Sequence, residues 1–264
     1  GYISSNWRKG IKSSDKIIFA NKIECNLLNK NSVNNFFKKY NNYDMSIFLL
    51  SAIVRKKVDN YQTYKKNIRM VKNLLSTIKK YKVSFLCFLS STDIFEKNYF
   101  KAIKEKSYLS NNNFYAKYKI EAEKIIKKNF DKNKICIIRI PGIFGGIKDR
   151  QSTIYEIKSD ITKKKTIYYN ESIRSYVFIN DLVRFLNLVL IYKKNITINF
   201  CSNEKYYIYQ IYKMIIKKLK FQRKFMKPNS NADGIFFDNK FFISHFPNFK
   251  FTKINKSLDI ILKK

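Results

Sequence analysis

Apolar runs of strand length alternate with amphipathic helical patterns over the first two thirds of this 264-residue chain. The predicted strands are Lys16–Ala20, Met45–Leu50, Ser84–Leu89, Ile135–Ile140 and Thr197–Phe200. Between the second and the third strand, apolar residues recur at helical spacing from Ile68 to Ile78, and lysines occupy the opposite face. Strands and helices that alternate in this way form βαβ units. The pattern therefore predicts an α/β fold with a doubly wound parallel sheet.

The later part of the chain predicts a smaller, separate lobe. Further helices are predicted over about 114–128, 180–192 and 206–219. Beyond Phe221 the pattern becomes irregular, and only a short helix near Leu258 is predicted. We expect one large domain formed by residues 1–142 plus about 175–200. The remaining residues, about 143–174 and 201–264, are predicted to form the smaller lobe.

The formal net charge is +35, from 54 lysines and arginines against 19 aspartates and glutamates. A charge of this size is typical of proteins that bind nucleic acid or an anionic membrane. Here the lysines are spread over the whole chain, and asparagine, isoleucine, tyrosine and phenylalanine, which share A/T-rich codons, are also abundant. The sequence therefore favours lysines on solvated helix faces, and a nucleic-acid surface stays the lesser alternative.

The cysteines predict neither a metal site nor a disulfide framework. Cys25, Cys87, Cys136 and Cys201 form no CxxC pair and have no histidine nearby in the sequence, so we expect buried thiols in a reducing compartment. The longest apolar run, Met45 to Val54, is too short to cross a bilayer, and the N-terminus has no signal-peptide pattern. The expectation is a soluble cytoplasmic protein without a membrane partner.

Tyr115 and Lys119 lie four residues apart in the run Tyr115-Ala116-Lys117-Tyr118-Lys119. On the predicted helix both side chains project from the same face. A phenol has an ordinary pKa of about 10, and a neighbouring ammonium together with a cationic nicotinamide ring would favour its phenolate. Such a tyrosine can exchange a proton with a substrate hydroxyl or carbonyl. The spacing by itself favours a chance pairing without a catalytic role, because Tyr-Lys pairs four residues apart are common in a chain with 19 tyrosines and even more lysines.

The position of the pair along the chain reverses that balance. Its helix follows the predicted strand Ser84–Leu89, which leads into Ser90-Ser91-Thr92-Asp93. Open α/β sheets bind their ligands at the carboxyl ends of the parallel strands. Hydroxyl groups at that end, followed by a tyrosine and a lysine on the next helix, predict a proton-transfer centre there.

Six segments, in this order, resemble the extended short-chain dehydrogenases/reductases, the group that contains sugar-nucleotide epimerases, dehydratases and reductases. The matching segments are Gly1–Asn6, Asp44–Ser51, Asn67, Tyr115–Lys119, Ile138–Gly145 and Arg174–Asp181. The resemblance covers nearly the whole chain. It implies a Rossmann-like, doubly wound parallel sheet with a small C-terminal substrate-binding lobe.

The resemblance also implies roles for the matching residues. Tyr115 would be the general acid/base, Lys119 would lower the phenol pKa and bind the cofactor ribose, and Ser91 would polarise the reacting oxygen. The implied cofactor contacts, besides Lys119, are Gly1, Tyr2, Ile3, Asn26, Leu50, Ser51, Pro141 and Ile143. The implied substrate contacts are Ser91, Thr92 and Arg174, with Arg174 on the diphosphate of a nucleotide sugar. Asn67 and Asp181 are expected to be structural, and no metal ion is implied.

The cofactor turn departs from the family pattern. No strand precedes Gly1-Tyr2-Ile3-Ser4, and Ser4 stands where the family has its third glycine, so we expect an incomplete pyrophosphate turn. After the predicted strand Lys16–Ala20, Asn21-Lys22 offers no carboxylate for the adenosine ribose of NAD. The implied cofactor is NAD or NADP, with NADP favoured. Asn26 stands where family members often have aspartate against adenine, and its amide can still hydrogen-bond there.

The residues after Ser91 bear on the type of reaction. Sugar dehydratases of this family have an Asp-Glu pair directly after the catalytic hydroxyl residue, where this chain has Thr92-Asp93. The resemblance therefore implies an NAD(P)-dependent epimerase or reductase that acts on a nucleoside-diphosphate sugar. It also implies a homodimer, because family members commonly pair through helices of the Tyr-Lys region. The alternative, favoured by the incomplete cofactor turn, is a catalytically impaired member that serves as a scaffold or sensor.

Overall fold

The computed structural model describes residues 1–11, 16–55, 58–97, 101–147, 149, 152–164, 166–169, 171–226 and 234–262. The helices in these ranges are α1 (Tyr2–Lys9), α2 (Lys30–Lys38), α3 (Tyr61–Ile78), α4 (Phe114–Asn129), α5 (Thr153–Lys163), α6 (Ile179–Tyr192), α7 (Ile208–Leu219), α8 (Lys240–His245) and α9 (Ile254–Leu262). The strands are β1 (Met45–Leu49), β2 (Val83–Ser91), β3 (Ile135–Ile140), β4 (Gly142–Phe144), β5 (Thr166–Tyr168), β6 (Ile173–Arg174), β7 (Tyr176–Phe178), β8 (Ile196–Asn199), β9 (Tyr206–Tyr207) and β10 (Lys224–Met226).

The central sheet confirms the predicted α/β fold. Its strand order is β1-β2-β3-β8, and each neighbouring pair is parallel. Side chains alternate along β2: Phe85, Cys87 and Leu89 enter the core that contains residues of α1 and α6, whereas Leu86 and Phe88 enter the core that contains residues of α3 and α4. This period of two buries both faces of the strand, as parallel sheets require.

Asparagine side chains begin three of the helices around this sheet. Asn29, Asn60 and Asn113 precede α2, α3 and α4, and each accepts a hydrogen bond from a backbone N–H in the first turn. Such a cap satisfies donors that have no partner within the helix. The abundant asparagines therefore serve as helix starts, including that of the helix that carries Tyr115.

Several predicted boundaries differ from the observed ones. Strand β1 ends at Leu49 instead of Leu50, β2 is longer at both ends, and β8 lies one residue earlier than predicted. The predicted helix over 206–219 begins at Ile208, because Tyr206 and Tyr207 pair with β6 instead. The helices α2, α5 and α8 and the small sheets were not predicted. Their sequences are polar or too short for a clear period.

The predicted strand Lys16–Ala20 is wrong. These residues have no regular secondary structure. They line a cavity of about 820 Å³ whose other walls include Met45 to Ser51, so they lie across a gap from the sheet edge. A strand exists only where its backbone groups find a neighbouring strand. An apolar run without an adjacent partner therefore does not join the sheet.

The remaining strands form two-stranded pairs outside the central sheet. They are β4 with β7, β5 with β10, and β6 with β9. The C-terminal part contributes Phe242, Phe246 and Phe249, which pack around Phe185 and Phe200 of the sheet domain. The division into two domains stays a prediction.

In the described part of the chain, no helix has the length and apolar character needed to cross a bilayer.

Asn67 and Asp181 join segments distant in the sequence, as their predicted structural roles require. Asn67 is 1% exposed; its Oδ1 accepts from the Ile53 N–H at 2.8 Å and its Nδ2 donates to the Ile53 carbonyl at 3.0 Å. Asp181 accepts from the backbone and the hydroxyl of Thr252. The amide of Asn67 thus fixes the segment that follows β1, close to the predicted cofactor residues Leu50 and Ser51.

We predict that Asn67→Ala lowers the free energy of unfolding by about 1 to 3 kcal/mol, because the N–H and the carbonyl of partly buried Ile53 lose their partner. Urea denaturation followed by circular dichroism measures the change. The control is Asn129→Ala at the exposed end of α4, where the amide only donates to its own helix and accepts from Lys79. A similar loss in both variants would contradict the role of Asn67.

Candidate active site

The carboxyl ends of β1, β2 and β3 bring the predicted site residues to one edge of the sheet. Ser91 is the last residue of β2 and lies beside Ile140, the last residue of β3, in the strand register. Pro141 follows Ile140, and Leu50 follows the end of β1. Because the strands are parallel, these residues share the edge at which α/β sheets bind ligands.

Ser91 is held in a fixed orientation at this edge. Its side chain caps a 3-10 turn, where Oγ accepts a hydrogen bond of 3.1 Å from the Asp93 N–H. Ser91 is 8% exposed and Thr92 is 5% exposed. The Ser91 oxygen already accepts a hydrogen bond, so its own O–H can act as a donor to a substrate oxygen.

Tyr115 and Lys119 face this edge from α4. The Lys119 ammonium is 5.5 Å from the centre of the Tyr115 ring and donates to the Leu89 carbonyl of β2 at 2.5 Å. The Tyr115 N–H donates to the Asp59 carboxylate at 3.0 Å, which anchors the start of the helix. The structure therefore brings Tyr115, Lys119 and the end of β2 together, as the sequence predicted.

Burial dominates the electrostatics of the pair. It lowers the pKa of Lys119 to about 7, against the opposing effects of the Glu123 and Asp93 carboxylates. It raises the pKa of Tyr115 well above its usual value, helped by Asp93 and opposed by Arg55. The predicted lowering of the phenol pKa by Lys119 is therefore not found, since desolvation disfavours the phenolate more than nearby cations stabilise it.

The predicted cofactor turn lies at the start of α1. Gly1 is the N-cap residue of α1. The Ser4 hydroxyl donates a hydrogen bond of 3.1 Å to the Gly1 carbonyl. The Tyr2 hydroxyl donates to the Gly145 carbonyl at 2.6 Å, so it ties α1 to the loop after β4. Ile3 packs partly buried against the core. Of the three predicted residues, Gly1 is exposed at the helix start, whereas Tyr2 and Ile3 contribute to packing.

Asn6 completes the same junction, although it was not predicted as a site residue. Its amide bonds to both backbone groups of Ile147, at 2.9 Å each. Gly146 has a φ of +75°, and any Cβ there would collide with the Asn6 side chain. The pair Gly145-Gly146 was the available signal, because two glycines in succession favour positive φ and close approach.

The other predicted cofactor residues surround the cavity beside β1. Leu50 and Ser51 line it, and so do Cys25 and Leu27, the neighbours of Asn26. The Asn26 Oδ1 accepts from the Leu28 N–H at 3.1 Å, so its Nδ2 is the group left for an adenine contact. Most of the cavity wall is apolar and resembles a sheet interior.

A carboxylate stands where the sequence predicted none. Glu24 accepts a hydrogen bond of 2.8 Å from the Asn21 N–H, directly after the segment 16–20. Its side chain was overlooked because it lies three residues further along the chain and returns through a turn. A carboxylate is the type of group that accepts the adenosine ribose hydroxyl of NAD, and the preference for NADP that Asn21-Lys22 suggested stays a prediction.

Two further predicted site residues, Arg174 for the substrate and Ile143 for the cofactor, come from the small sheets. Arg174 lies on β6, opposite Tyr206 of β9, and its Nη1 donates to the Ile173 carbonyl at 2.8 Å. Ile143 lies on β4 opposite Val177 of β7. Both therefore stand on strands that follow the end of β3, outside the central sheet.

Two buried charged residues next to the Tyr115-Lys119 pair were not predicted from the sequence. Glu123 of α4 and Arg139 of β3 are each 5% exposed and form an ion pair of 2.7 Å. The signal was present: each charge interrupts an apolar pattern, Glu123 on the inner face of its helix and Arg139 within an isoleucine-rich strand. A charge at a position that faces the core marks a buried network.

We predict that Lys119→Met removes a pH dependence of stability. A lysine has an ordinary pKa of about 10.4 in the unfolded chain, so between pH 7 and that value the unfolded state binds more protons and stability rises with pH. Relative to Lys119→Met, the wild-type protein should gain about 1 to 3 kcal/mol of unfolding free energy between pH 7 and pH 9. Urea denaturation at both pH values measures this, with exposed Lys117→Met as control. Equal differences at both pH values would contradict a buried, titrating Lys119.

Solved structures with this fold include sugar-nucleotide enzymes. The structure of RMD from Pseudomonas aeruginosa complexed with NADPH has a TM-score of 0.85 and 15% identity, over 100% of this chain and 95% of that chain. A GDP-L-fucose synthetase from Naegleria fowleri bound to NADP has a TM-score of 0.80 and 18% identity, over 100% and 90%. The dTDP-4-dehydrorhamnose reductase from Bacillus anthracis in complex with NADP has 0.84 and 12%, over 98% and 94%. At these identities the likeness shows the fold.

No curated protein sequence matches the chain. The model of the NAD dependent epimerase/dehydratase family matches residues 4–201, which include the whole central sheet, Ser91, Tyr115, Lys119 and Arg174. That match spans most of the chain and confirms the resemblance found in the sequence. The chain belongs to the NAD dependent epimerase/dehydratase family.

Proposed function

We propose that this protein is an NAD(P)-dependent enzyme that reduces a keto group of a nucleoside-diphosphate sugar, with Tyr115 as the proton donor. Epimerisation, which reverses and repeats the same step on the other face of the carbon, is the related possibility. The observation that carries the proposal is that the buried Lys119 ammonium lies 5.5 Å from the centre of the Tyr115 ring and donates to the Leu89 carbonyl, two residues before Ser91 at the end of β2. Family membership supports the same class of chemistry.

Tyr115 is suited to give a proton rather than to take one. Its raised pKa keeps the phenol protonated at neutral pH. A reduction needs this form, because the carbonyl oxygen must gain a proton as the carbon gains a hydride. A bound nicotinamide cofactor would supply the hydride. The balance is one ketone, one hydride and one proton, which together give one secondary alcohol.

Ser91 and Lys119 would prepare the same oxygen for protonation. The Ser91 O–H can donate to the carbonyl oxygen, since its own oxygen accepts from Asp93. When Lys119 carries its proton, the ammonium stabilises the phenolate that Tyr115 becomes after the transfer. Its pKa of about 7 makes that charge sensitive to its surroundings.

The residues at the sheet edge fit a nicotinamide dinucleotide. Lys119 would hold the nicotinamide ribose, and the backbone at Leu50, Ser51 and Pro141 would border it along the ends of β1 and β3. The three structures compared above were solved with NADPH or NADP. Because Glu24 offers a carboxylate near the end of the segment 16–20, both NADPH and NADH need to be tested.

A nucleoside diphosphate sugar suits the cationic group on the substrate side. Arg174 presents a guanidinium on β6, and such a planar group binds a diphosphate through two parallel hydrogen bonds. Two of the compared structures carry GDP or dTDP sugars in their names. We therefore propose a keto sugar linked to a nucleoside diphosphate as the substrate class, with Thr92 beside Ser91 as a further substrate contact.

We predict that Tyr115→Phe lowers kcat by about 10² to 10⁴-fold while the dissociation constant for NADPH or NADH stays nearly unchanged, because only the proton donor is lost. Cofactor oxidation at 340 nm with a keto nucleotide sugar measures turnover, and quenching of protein fluorescence measures binding. The control is Tyr118→Phe, three residues further on the same helix. Its hydroxyl is buried without a hydrogen-bond partner among the described residues, so its removal should leave kcat intact.

Two outcomes would overturn the proposal. Turnover that survives Tyr115→Phe would remove Tyr115 from the mechanism. Binding of neither NADPH nor NADH by the wild-type protein would instead favour the alternative, a non-catalytic family member that serves as a scaffold or sensor.

We predict that Arg174→Lys raises KM for the nucleotide sugar about tenfold or more with a small change in kcat, because a lysine keeps the charge but loses the paired hydrogen bonds. Steady-state kinetics against substrate concentration measure both constants. Lys205→Met, which removes an exposed charge next to β9, is the control for general electrostatic attraction. Equal effects of the two variants would contradict a specific diphosphate contact.

A further inference from the structure

Glu123 and Arg139 form a buried ion pair directly below the Tyr115-Lys119 face. The Arg139 Nε and Nη2 donate to the two carboxylate oxygens of Glu123 at 3.0 and 2.7 Å. Both side chains are 6% exposed. A paired, fork-to-fork contact of this kind holds the carboxylate in one orientation. Glu123 lies one helical turn after Lys119 on α4.

Successive residues of β2 hold successive turns of α4. The Leu89 carbonyl accepts from the Lys119 ammonium at 2.5 Å, and the next residue, Ser90, donates its hydroxyl to Glu123 at 2.6 Å. Ser90 also lies beside Arg139 in the register of β2 and β3. The ion pair therefore locks the helix to two strands at the height of the ends that carry Ser91 and Pro141.

A buried ion pair is seldom the most stabilising choice at such a position. Removing two charges from water is costly, and well-packed apolar residues of similar volume are often equally stable or more stable. Here the pair is completed by a hydrogen bond of 2.8 Å from Arg139 Nη1 to the Glu105 carbonyl, and the Phe95 ring lies 5.2 Å from the guanidinium carbon. The retained charge at Glu123 therefore calls for a role beyond packing.

We propose that Glu123, fixed by Arg139 and Ser90, is a positioning residue that keeps the Lys119 ammonium protonated and directed toward Tyr115. Its importance for turnover depends on the function proposed above, but its effect on the charge of Lys119 does not. Tyr115, Lys119 and Glu123 would then act as one unit along the inner face of α4.

The groups that face Lys119 come from three elements. From α4 itself these are Tyr115, Tyr118 and Glu123, from the turn after β2 it is Asp93, and from β3 it is Arg139, bound to Glu123. Burial lowers the pKa of Lys119, and of the carboxylates Glu123 opposes this most, followed by Asp93. Neutralising Glu123 removes the larger of the two opposing effects, so Lys119 should lose its proton at a lower pH.

Nuclear magnetic resonance of protein labelled with ¹³C and ¹⁵N in lysine tests this without any need for turnover. In the wild-type protein one lysine signal should titrate near neutral pH, apart from exposed lysines, and should vanish in Lys119→Met. Glu123→Gln should move its midpoint down by about one pH unit or more. Glu121→Gln, the same change on another face of α4, should not move it.

A fold-preserving variant keeps the test decisive if Glu123→Gln does not fold. Glu123→Leu combined with Arg139→Met replaces the pair by apolar groups, which buried ion pairs often tolerate. A downward shift is expected again, smaller than in Glu123→Gln, because Arg139→Met also removes a positive charge near Lys119. A folded variant of either kind in which the Lys119 midpoint stays at its wild-type value would overturn the proposal.

Kinetics separate this proposal from the function above. If both hold, the alkaline limb of the profile of kcat against pH should move to lower pH in Glu123→Gln by the amount seen for Lys119, and Glu123→Asp should partly restore it. If the Lys119 midpoint shifts but the wild-type protein shows no turnover, the role of Glu123 is supported and the proposed function is rejected. If Glu123→Gln turns over and neither the alkaline limb of its kcat profile nor the Lys119 midpoint moves, the role of Glu123 is rejected and the proposed function stands.

Discussion

The ammonium of Lys119 is held by the Leu89 carbonyl and lies among the rings of Phe88, Tyr115 and Tyr118. Burial at this position opposes the charged form so strongly that the pKa falls to about 7. A buried ammonium needs a hydrogen-bond acceptor and a negative charge at fixed positions nearby, so it constrains the elements that pack around it. The end of β2 provides the acceptor, and α4 with β3 provides the countercharge.

The last three residues of β2 meet this need for fixed partners. Three consecutive residues of β2 serve three different partners: Leu89 binds Lys119, Ser90 binds Glu123, and Ser91 caps the turn that positions Asp93. A shift of the helix by one turn would break the first two contacts together. The site is therefore built from rigid elements and not from a loop, which is the arrangement that holds reacting groups most accurately.

The sequence allowed the central sheet and its main helices to be predicted, because β2, β3, α3 and α4 have clear periods of two or 3.6 residues. It also located Tyr115, Lys119 and Ser91 at the correct end of the sheet. The segment Lys16–Ala20 was mistaken for a strand because an apolar run carries no information about whether a partner strand lies beside it. Arg139 and Glu123 were not predicted because their roles depend on a contact between a helix and a strand, and Glu24 was not predicted because its side chain returns to Asn21 through a local turn.

The carboxylates around the site act on the Tyr-Lys pair in one direction. Asp93 raises the pKa of both Tyr115 and Lys119, and Glu123 raises that of Lys119. Arg55, 3.9 Å from Asp93, opposes this at Tyr115. Asp93 thus opposes loss of the proton from both groups and Glu123 opposes it at Lys119, but burial has the larger effect on Lys119 and lowers its pKa. At neutral pH Tyr115 holds its proton, which is the form that a proton donor needs before the transfer.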